Sequence, residues 1–454
     1  MSEKTLFKNA RLVSEMREWP GDLLVVDGKI SAIEAEIAAE DGMHVVDVAG
    51  RYLMPGMIDD QVHFREPGLT AKGDLSTESA AAVAGGTTSF MDMPNVNPPI
   101  TTREALAGKY QLAEDRCHAN YAFYFGATND NLEEIKALRP EETCGIKAFM
   151  GASTGSLLVD DPQALDDLFR HAPVLVVTHC EDSPMIWEEE RRARDTLGDG
   201  VPMSMHPDIR SAAACLKSSA LATGLAREHD ARLHVLHLTT ADEMPQFARG
   251  ERYGKRITAE ICIHHLWFTA DDYEALGSRI KCNPAIKAPH HRAALRKALA
   301  EGRLDVIATD HAPHLAEEKD RHYFAAPAGL PLTEHALVAA LDLADEVGVD
   351  IPFMVDRLAH ASADLFGIPD RGYLREGYWA DLVIVDPEGD WTTTDADVHY
   401  KCGWTPFDGH TFRHRVAGTW VNGVHAYDGE NVLDVRAGMR LTCNSARDKN
   451  VERR

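Results

Sequence analysis

The sequence predicts an α/β fold: a barrel of eight parallel strand–helix units with a small β-sandwich-like domain built from both termini. Three observations lead there. Short apolar runs alternate with helical patterns between residues 52 and 309, as in successive βαβ units. Both ends of the chain are strand-rich and lack that alternation, and the termini of a domain commonly lie close together. Six segments place a metal-type ligand or a proton-carrying side chain at or near the end of an apolar run, and a parallel barrel gathers such residues around one pocket.

The amino-terminal strands are read at residues 6–13 and 22–27, with Asp27-Gly28-Lys29-Ile30 as a turn, and at 45–50. Residues 380–386 and 416–423 have the same texture. The β-domain is therefore assigned to 1–54 plus 371–443, the barrel to 55–370, and 444–454 to a polar tail expected to fray. Barrel strands are expected at 52–61, 87–93, 121–126, 145–150, 174–179, 233–238, 257–263 and 304–309. Helical patterns lie between them; the one at 77–84 stops at Gly85-Gly86. From Glu334 to Ile368 the chain reads as helical and closes the barrel. Eight units over about 310 residues suit a TIM-type barrel.

Composition narrows the function classes. The chain has 454 residues, 44% hydrophobic and 26% charged, which is ordinary for a soluble globular protein. Its 47 basic against 72 acidic residues give a net charge of −25, a field that repels nucleic acid. No run approaches the ~18 apolar residues of a membrane span, and the start lacks the order of a signal peptide. The eight cysteines are dispersed with no CxxC pair, which points to buried free thiols and a cytoplasmic location. Cys180 and Cys262 fall near strand ends but read as small core residues. A homo-oligomer, dimer or tetramer, is the expected assembly.

The strand ends carry the chemistry. In Asp60-Gln61-Val62-His63, alternation points Gln61 and His63 the same way, into the pocket. His63, His179 and His237 at three strand ends, with Asp310 at a fourth, form a donor set suited to Zn²⁺. Lys147 sits in an apolar strand, where an unpaired ammonium is costly. Either it pairs with an acidic neighbour or a substrate anion, or CO₂ adds to its amine and the carbamate bridges two cations, one or two zinc ions being expected. Asp310 can bind metal, take a proton from a water and pass it to a leaving nitrogen.

A second set suits a small anionic substrate: Arg65, whose fork matches a carboxylate, with Asn95, Asn283 and His314. The Ala- and Pro-rich stretch 323–332 is a candidate for contacts above the pocket.

Taken together, Pro55-Gly56-Met57-Ile58-Asp59, Val62-His63-Phe64-Arg65-Glu66-Pro67-Gly68, Met93-Pro94-Asn95, the strand around Lys147, the His179 and His237 strands, Lys281-Cys282-Asn283-Pro284 and Thr309-Asp310-His311-Ala312-Pro313-His314 resemble the cyclic amidohydrolases, most closely the dihydroorotase branch. The resemblance spans Asn9 to Gly423. It implies a metal-dependent barrel in which carboxylated Lys147 bridges two zincs, with His179 and His237 on one and His63 on the other. It further implies Asp310 as ligand and proton carrier, Arg65, Asn95 and His314 on a substrate carboxylate, and Asn283 on the ring. The implied reaction interconverts N-carbamoyl-L-aspartate and (S)-dihydroorotate in pyrimidine biosynthesis. The pattern departs at one place: the usual His-x-His after the first strand is here Gln61-Val62-His63. An amide oxygen is a poorer zinc ligand than imidazole, so Gln61 is not counted as one. Two alternatives stay open: a hydantoinase-, dihydropyrimidinase- or allantoinase-like ring opener, and a catalytically silent homologue acting as a structural partner.

Overall fold

The computed structural model describes residues 3–151, 157–449 and 451–452. The eight barrel strands appear in the expected order. They are Met57–Val62, Thr87–Asp92, Asn120–Phe123 continued by Phe125–Gly126, Ile146–Phe149, Val176–His179, Leu233–Val235, Ile257–Cys262 and Val306–Ala308. Neighbours pair in parallel from each strand to the next. Closure is made by His63 N donating to His311 O at 2.7 Å, and by Asp59, which accepts from Thr309 Oγ1 at 2.6 Å and ties the first strand to the eighth.

The expected first barrel strand, 52–61, is two strands. Tyr52–Pro55 belongs to the terminal sheet, where it pairs with Arg11 and Leu12 and, antiparallel, with Leu382–Asp386. The chain then passes through Gly56 into the barrel. A Cβ there would stand 2.2 Å from the Thr88 side chain, so only glycine allows this crossing. A continuous apolar run hid the switch, because both strands are buried. The third strand is interrupted at Tyr124, whose hydroxyl donates to Asp60 O at 2.9 Å.

The terminal sheet runs Val424–Tyr427, Arg415–Val421, Leu382–Asp386, Tyr52–Pro55, Lys4–Ser14, Arg17–Val26, Lys29–Glu34, with His44–Asp47 also on Lys4–Ser14. Both termini thus build one sheet, packed through Phe7, Leu23, Leu53, Leu382 and Trp420. Asp27 and Gly28 both have positive φ (49° and 80°), as a tight hairpin turn requires.

The first helix, Leu75–Ala84, is capped by Asp74, whose carboxylate accepts from Ser76 N and Thr77 N. Buried Glu78 on this helix accepts from His311 Nε2 at 2.7 Å, while His311 Nδ1 accepts from Leu332 N at 2.9 Å. One imidazole therefore fixes the helix, the eighth strand end and the loop above it. The described part of the tail does not fray. Ser445 O accepts from Leu175 N at 2.8 Å, Arg447 binds the carbonyls of Phe169 and Arg170 at 2.9 Å each, and Val451 is buried. Its polar groups satisfy backbone carbonyls, a use that polarity alone does not reveal.

Candidate functional site

Convergence at the carboxyl ends of the strands is the central geometric result. Gln61, His63, Arg65, Lys147, Phe149, His179, His237, Asn283, Asp310, Ala312, Ala328 and Gly329 line one small pocket. Three of these, Arg65 (φ 69°), His237 (φ 37°) and Asp310 (φ 49°), are non-glycine residues held in the left-handed region. Such strain concentrates where side-chain aim matters more than backbone comfort.

Two pairs of donor atoms face each other. His179 Nδ1 lies 3.0 Å from His237 Nε2, and His63 Nε2 lies 3.0 Å from Asp310 Oδ1. The outer nitrogens show which inner atoms carry lone pairs. His63 Nδ1 donates to Asn95 Oδ1 at 2.7 Å, and His179 Nε2 donates to Glu181 Oε2 at 3.1 Å. Both inner nitrogens are then acceptors, the usual outer-shell arrangement of metal-binding histidines. Burial lowers the pKa of His63, His179 and His237, disfavouring their imidazolium forms. Two facing acceptors need a proton or a cation between them. Two ligands of one tetrahedral zinc stand about 3.3 Å apart, from Zn–N bonds of about 2.0–2.1 Å. The observed 3.0 Å is close to that.

Lys147 lines the same pocket and acts electrostatically on all four groups. It is 1% exposed, and its Nζ makes no hydrogen bond among the described residues. Burial pulls its pKa down to about 8, against the pull of Asp310 and Glu260. A neutral amine is the form that adds CO₂, and the resulting carbamate would give this orphaned position two oxygens. The residues present therefore fit a divalent metal centre: His179, His237 and Lys147 on one side, His63, Asp310 and Lys147 on the other.

Gln61 completes the second side differently. Its Nε2 donates to Asp310 Oδ1 at 3.0 Å, and its Oε1 receives the Cys262 thiol at 3.9 Å. As oriented, it is a hydrogen-bond donor to the carboxylate.

The anion-binding set is graded. Arg65 and Asn283 line the pocket, and Asn283 Oδ1 is buried without a partner among the described residues. The guanidinium of Arg65 is fixed by Pro313 O at 3.1 Å; burial pulls its pKa down to about 10, still protonated at neutral pH. Asn95 and His314 stand behind the wall. Asn95 spends its oxygen on His63, and His314 lies 3.2 Å from Arg65 and 3.0 Å from Lys72. The stretch 323–332 does reach the pocket, through Ala328 and Gly329. Two buried lysines hold it down: Lys281, quoted above only as part of a motif, and Lys319, not singled out in the sequence. Lys319 Nζ donates to Pro327 O at 3.0 Å and Gly329 O at 2.9 Å, and Lys281 Nζ donates to Tyr323 O at 2.5 Å and Ala326 O at 2.7 Å. Lysines beside a Pro- and Gly-rich loop were the available signal. All eight cysteines are free and buried.

The chain is similar to known proteins over most of its length. The amidohydrolase family pattern matches residues 52–425. Dihydroorotase of Methanosarcina acetivorans is 33% identical over 414 residues, covering 88% of this chain and 87% of that protein. Allantoinase of Deinococcus radiodurans is 31% identical over 453 residues, covering 97% and 99%. Among solved structures, L-hydantoinase (dihydropyrimidinase) from Arthrobacter aurescens superposes with a TM-score of 0.91 at 27% identity, over 97% of this chain and all of that one. Among the described residues, no helix is long and apolar enough to cross a membrane.

Proposed function

The chain belongs to the amidohydrolase family, within its cyclic amide hydrolases, and we propose that it is a zinc-dependent dihydroorotase interconverting N-carbamoyl-L-aspartate and (S)-dihydroorotate. The observation that carries this reading is Arg65. A buried, protonated guanidinium in the wall of a small pocket needs an anionic partner there, and it matches a carboxylate with two parallel hydrogen bonds. Dihydroorotate has a ring carboxylate; hydantoin, dihydropyrimidine and allantoin rings have none.

When bound, the zinc supplies a water of lowered pKa and polarises the ring carbonyl. The chain does the rest. His63, His179, His237 and Asp310, with Lys147 once carboxylated, would hold the metal, and Asp310 is the carboxylate of this set that can carry a proton. Asp310 accepts the proton of the attacking water at a carboxylate oxygen. The water oxygen bonds to the ring carbonyl carbon, the C–N bond breaks, and Asp310 returns the proton to the departing nitrogen. Arg65 orients the substrate carboxylate, and Asn283 offers its unpartnered oxygen to a ring N–H. Asn95 and His314 act by fixing His63 and Arg65.

The test is a side-by-side assay of the zinc-loaded chain on dihydroorotate, N-carbamoyl-L-aspartate, allantoin, dihydrouracil and hydantoin, with zinc counted on the same sample. The reading expects the highest kcat/KM on the two carboxylated compounds. Preference for a neutral ring rejects the dihydroorotase assignment, and bound zinc without turnover of any of them identifies a silent homologue.

A further inference from the structure

We propose that Asp60, His234 and Glu260 form a further divalent-cation site, inside the barrel and separate from the donors at its mouth. The three residues come from the first, sixth and seventh strands and are each 0% exposed. One ligand atom from each lies within 4.8 Å of the others. His234 Nε2 is 3.3 Å from Asp60 Oδ2 and 3.8 Å from Glu260 Oε2. Among the described residues, both Asp60 carboxylate oxygens, His234 Nε2 and Glu260 Oε2 are buried without a hydrogen bond. A buried carboxylate with neither oxygen hydrogen-bonded is costly and calls for a positive partner.

The remaining atoms of the group are already committed, in a way that aims the open ones inward. His234 Nδ1 lies 2.8 Å from Thr258 Oγ1, and that hydroxyl donates to Leu233 O at 3.4 Å. Nδ1 is thus the protonated nitrogen, and Nε2 presents its lone pair to Asp60 and Glu260. Glu260 Oε1 accepts from His237 N at 2.8 Å and from the Cys262 thiol at 3.4 Å, leaving Oε2 for the cluster. A divalent ion would neutralise the two carboxylates and leave the imidazole neutral. One imidazole with two carboxylates suits a first-row ion such as Zn²⁺ or Mn²⁺. Such an ion would brace three strands across the barrel interior. It would also fix Glu260, which holds the backbone of His237 at the mouth above.

Crystals of the zinc-saturated chain, measured on both sides of the zinc absorption edge, test this directly. The expected result is an anomalous peak bonded to Asp60, His234 and Glu260, in addition to zinc at the mouth. No anomalous density among the three overturns the proposal, whatever the mouth contains. In solution, the double substitution Asp60→Asn/His234→Gln should lower tightly held zinc by one equivalent per chain and leave zinc at His179 and His237. An unchanged zinc count in a folded variant also overturns the proposal; if the variant does not fold, the wild-type map decides.

Discussion

The side-chain amide of Gln61 donates to Oδ1 of Asp310 at 3.0 Å. In the usual His-x-His pattern an imidazole would stand there as a ligand; here an N–H steadies the proton carrier. Gln61→Leu removes that donor without adding a ligand. A hydrogen bond to a charged group contributes about 1.5–3 kcal/mol, so kcat should fall roughly 10- to 100-fold with the fold intact. Gln61→His should do the opposite for metal: more zinc should survive dialysis against a chelator. Unchanged zinc retention would show that position 61 is not a ligand position in this chain.

Replacing Arg65 by Met keeps the side chain's length and removes its charge and fork. If it binds the substrate carboxylate, the loss falls mainly on KM. About 1.5–3 kcal/mol of charge-assisted hydrogen bonding predicts a rise of roughly 10- to 100-fold, with a smaller change in kcat. Steady-state kinetics on dihydroorotate measure it, and a KM within twofold of wild type rejects the contact. Activity on allantoin, if any, should be nearly indifferent to this change.

Most of the barrel was legible because strand ends carrying His63, Lys147, His179, His237 and Asp310 stand at the spacing of successive βα units. Their meeting in one pocket follows from topology. The division of 52–61 at Gly56 was not legible, since periodicity cannot separate two fully buried strands joined end to end. The positions of Asn95 and His314 behind the wall were equally hidden: sequence shows that a polar side chain lies near a strand end, while its hydrogen-bond partner is a tertiary fact. The grouping of Asp60, His234 and Glu260 was hidden as well, because their three strands meet only in the closed barrel.

Asp310 can be separated from the metal by Asp310→Asn, which preserves shape and one oxygen donor while abolishing proton acceptance. General acid–base catalysis is worth about 10²- to 10⁴-fold, and kcat should fall by that amount. Far-UV circular dichroism and Tm should change little. Near-wild-type turnover in a zinc-loaded Asp310→Asn variant would exclude Asp310 as the proton carrier.

A last prediction concerns pH and the clamp joining the terminal sheet region to the barrel's closing helices. Glu334 Oε1 lies 2.7 Å from His399 Nδ1, and its Oε2 accepts from His399 N at 2.8 Å. The hydrogen bond to Glu334 raises the pKa of His399 above its ordinary 6.5, outweighing the burial that lowers it. A pKa raised on folding means that the folded state holds the proton more tightly than the unfolded chain. The clamp's charge-dependent stabilisation is therefore fully present below about pH 6.5 and fades as pH rises through the folded-state pKa of His399. Glu334→Gln keeps the shape and removes the charge. The Tm deficit of this variant against wild type should be largest below about pH 6 and should shrink as pH climbs past His399's raised value, because by then the wild type has also lost its imidazolium. Thermal melts of both chains across pH 5.5 to 9 read it out, and a deficit that stays constant or grows over that range shows that His399 is not charged in the clamp.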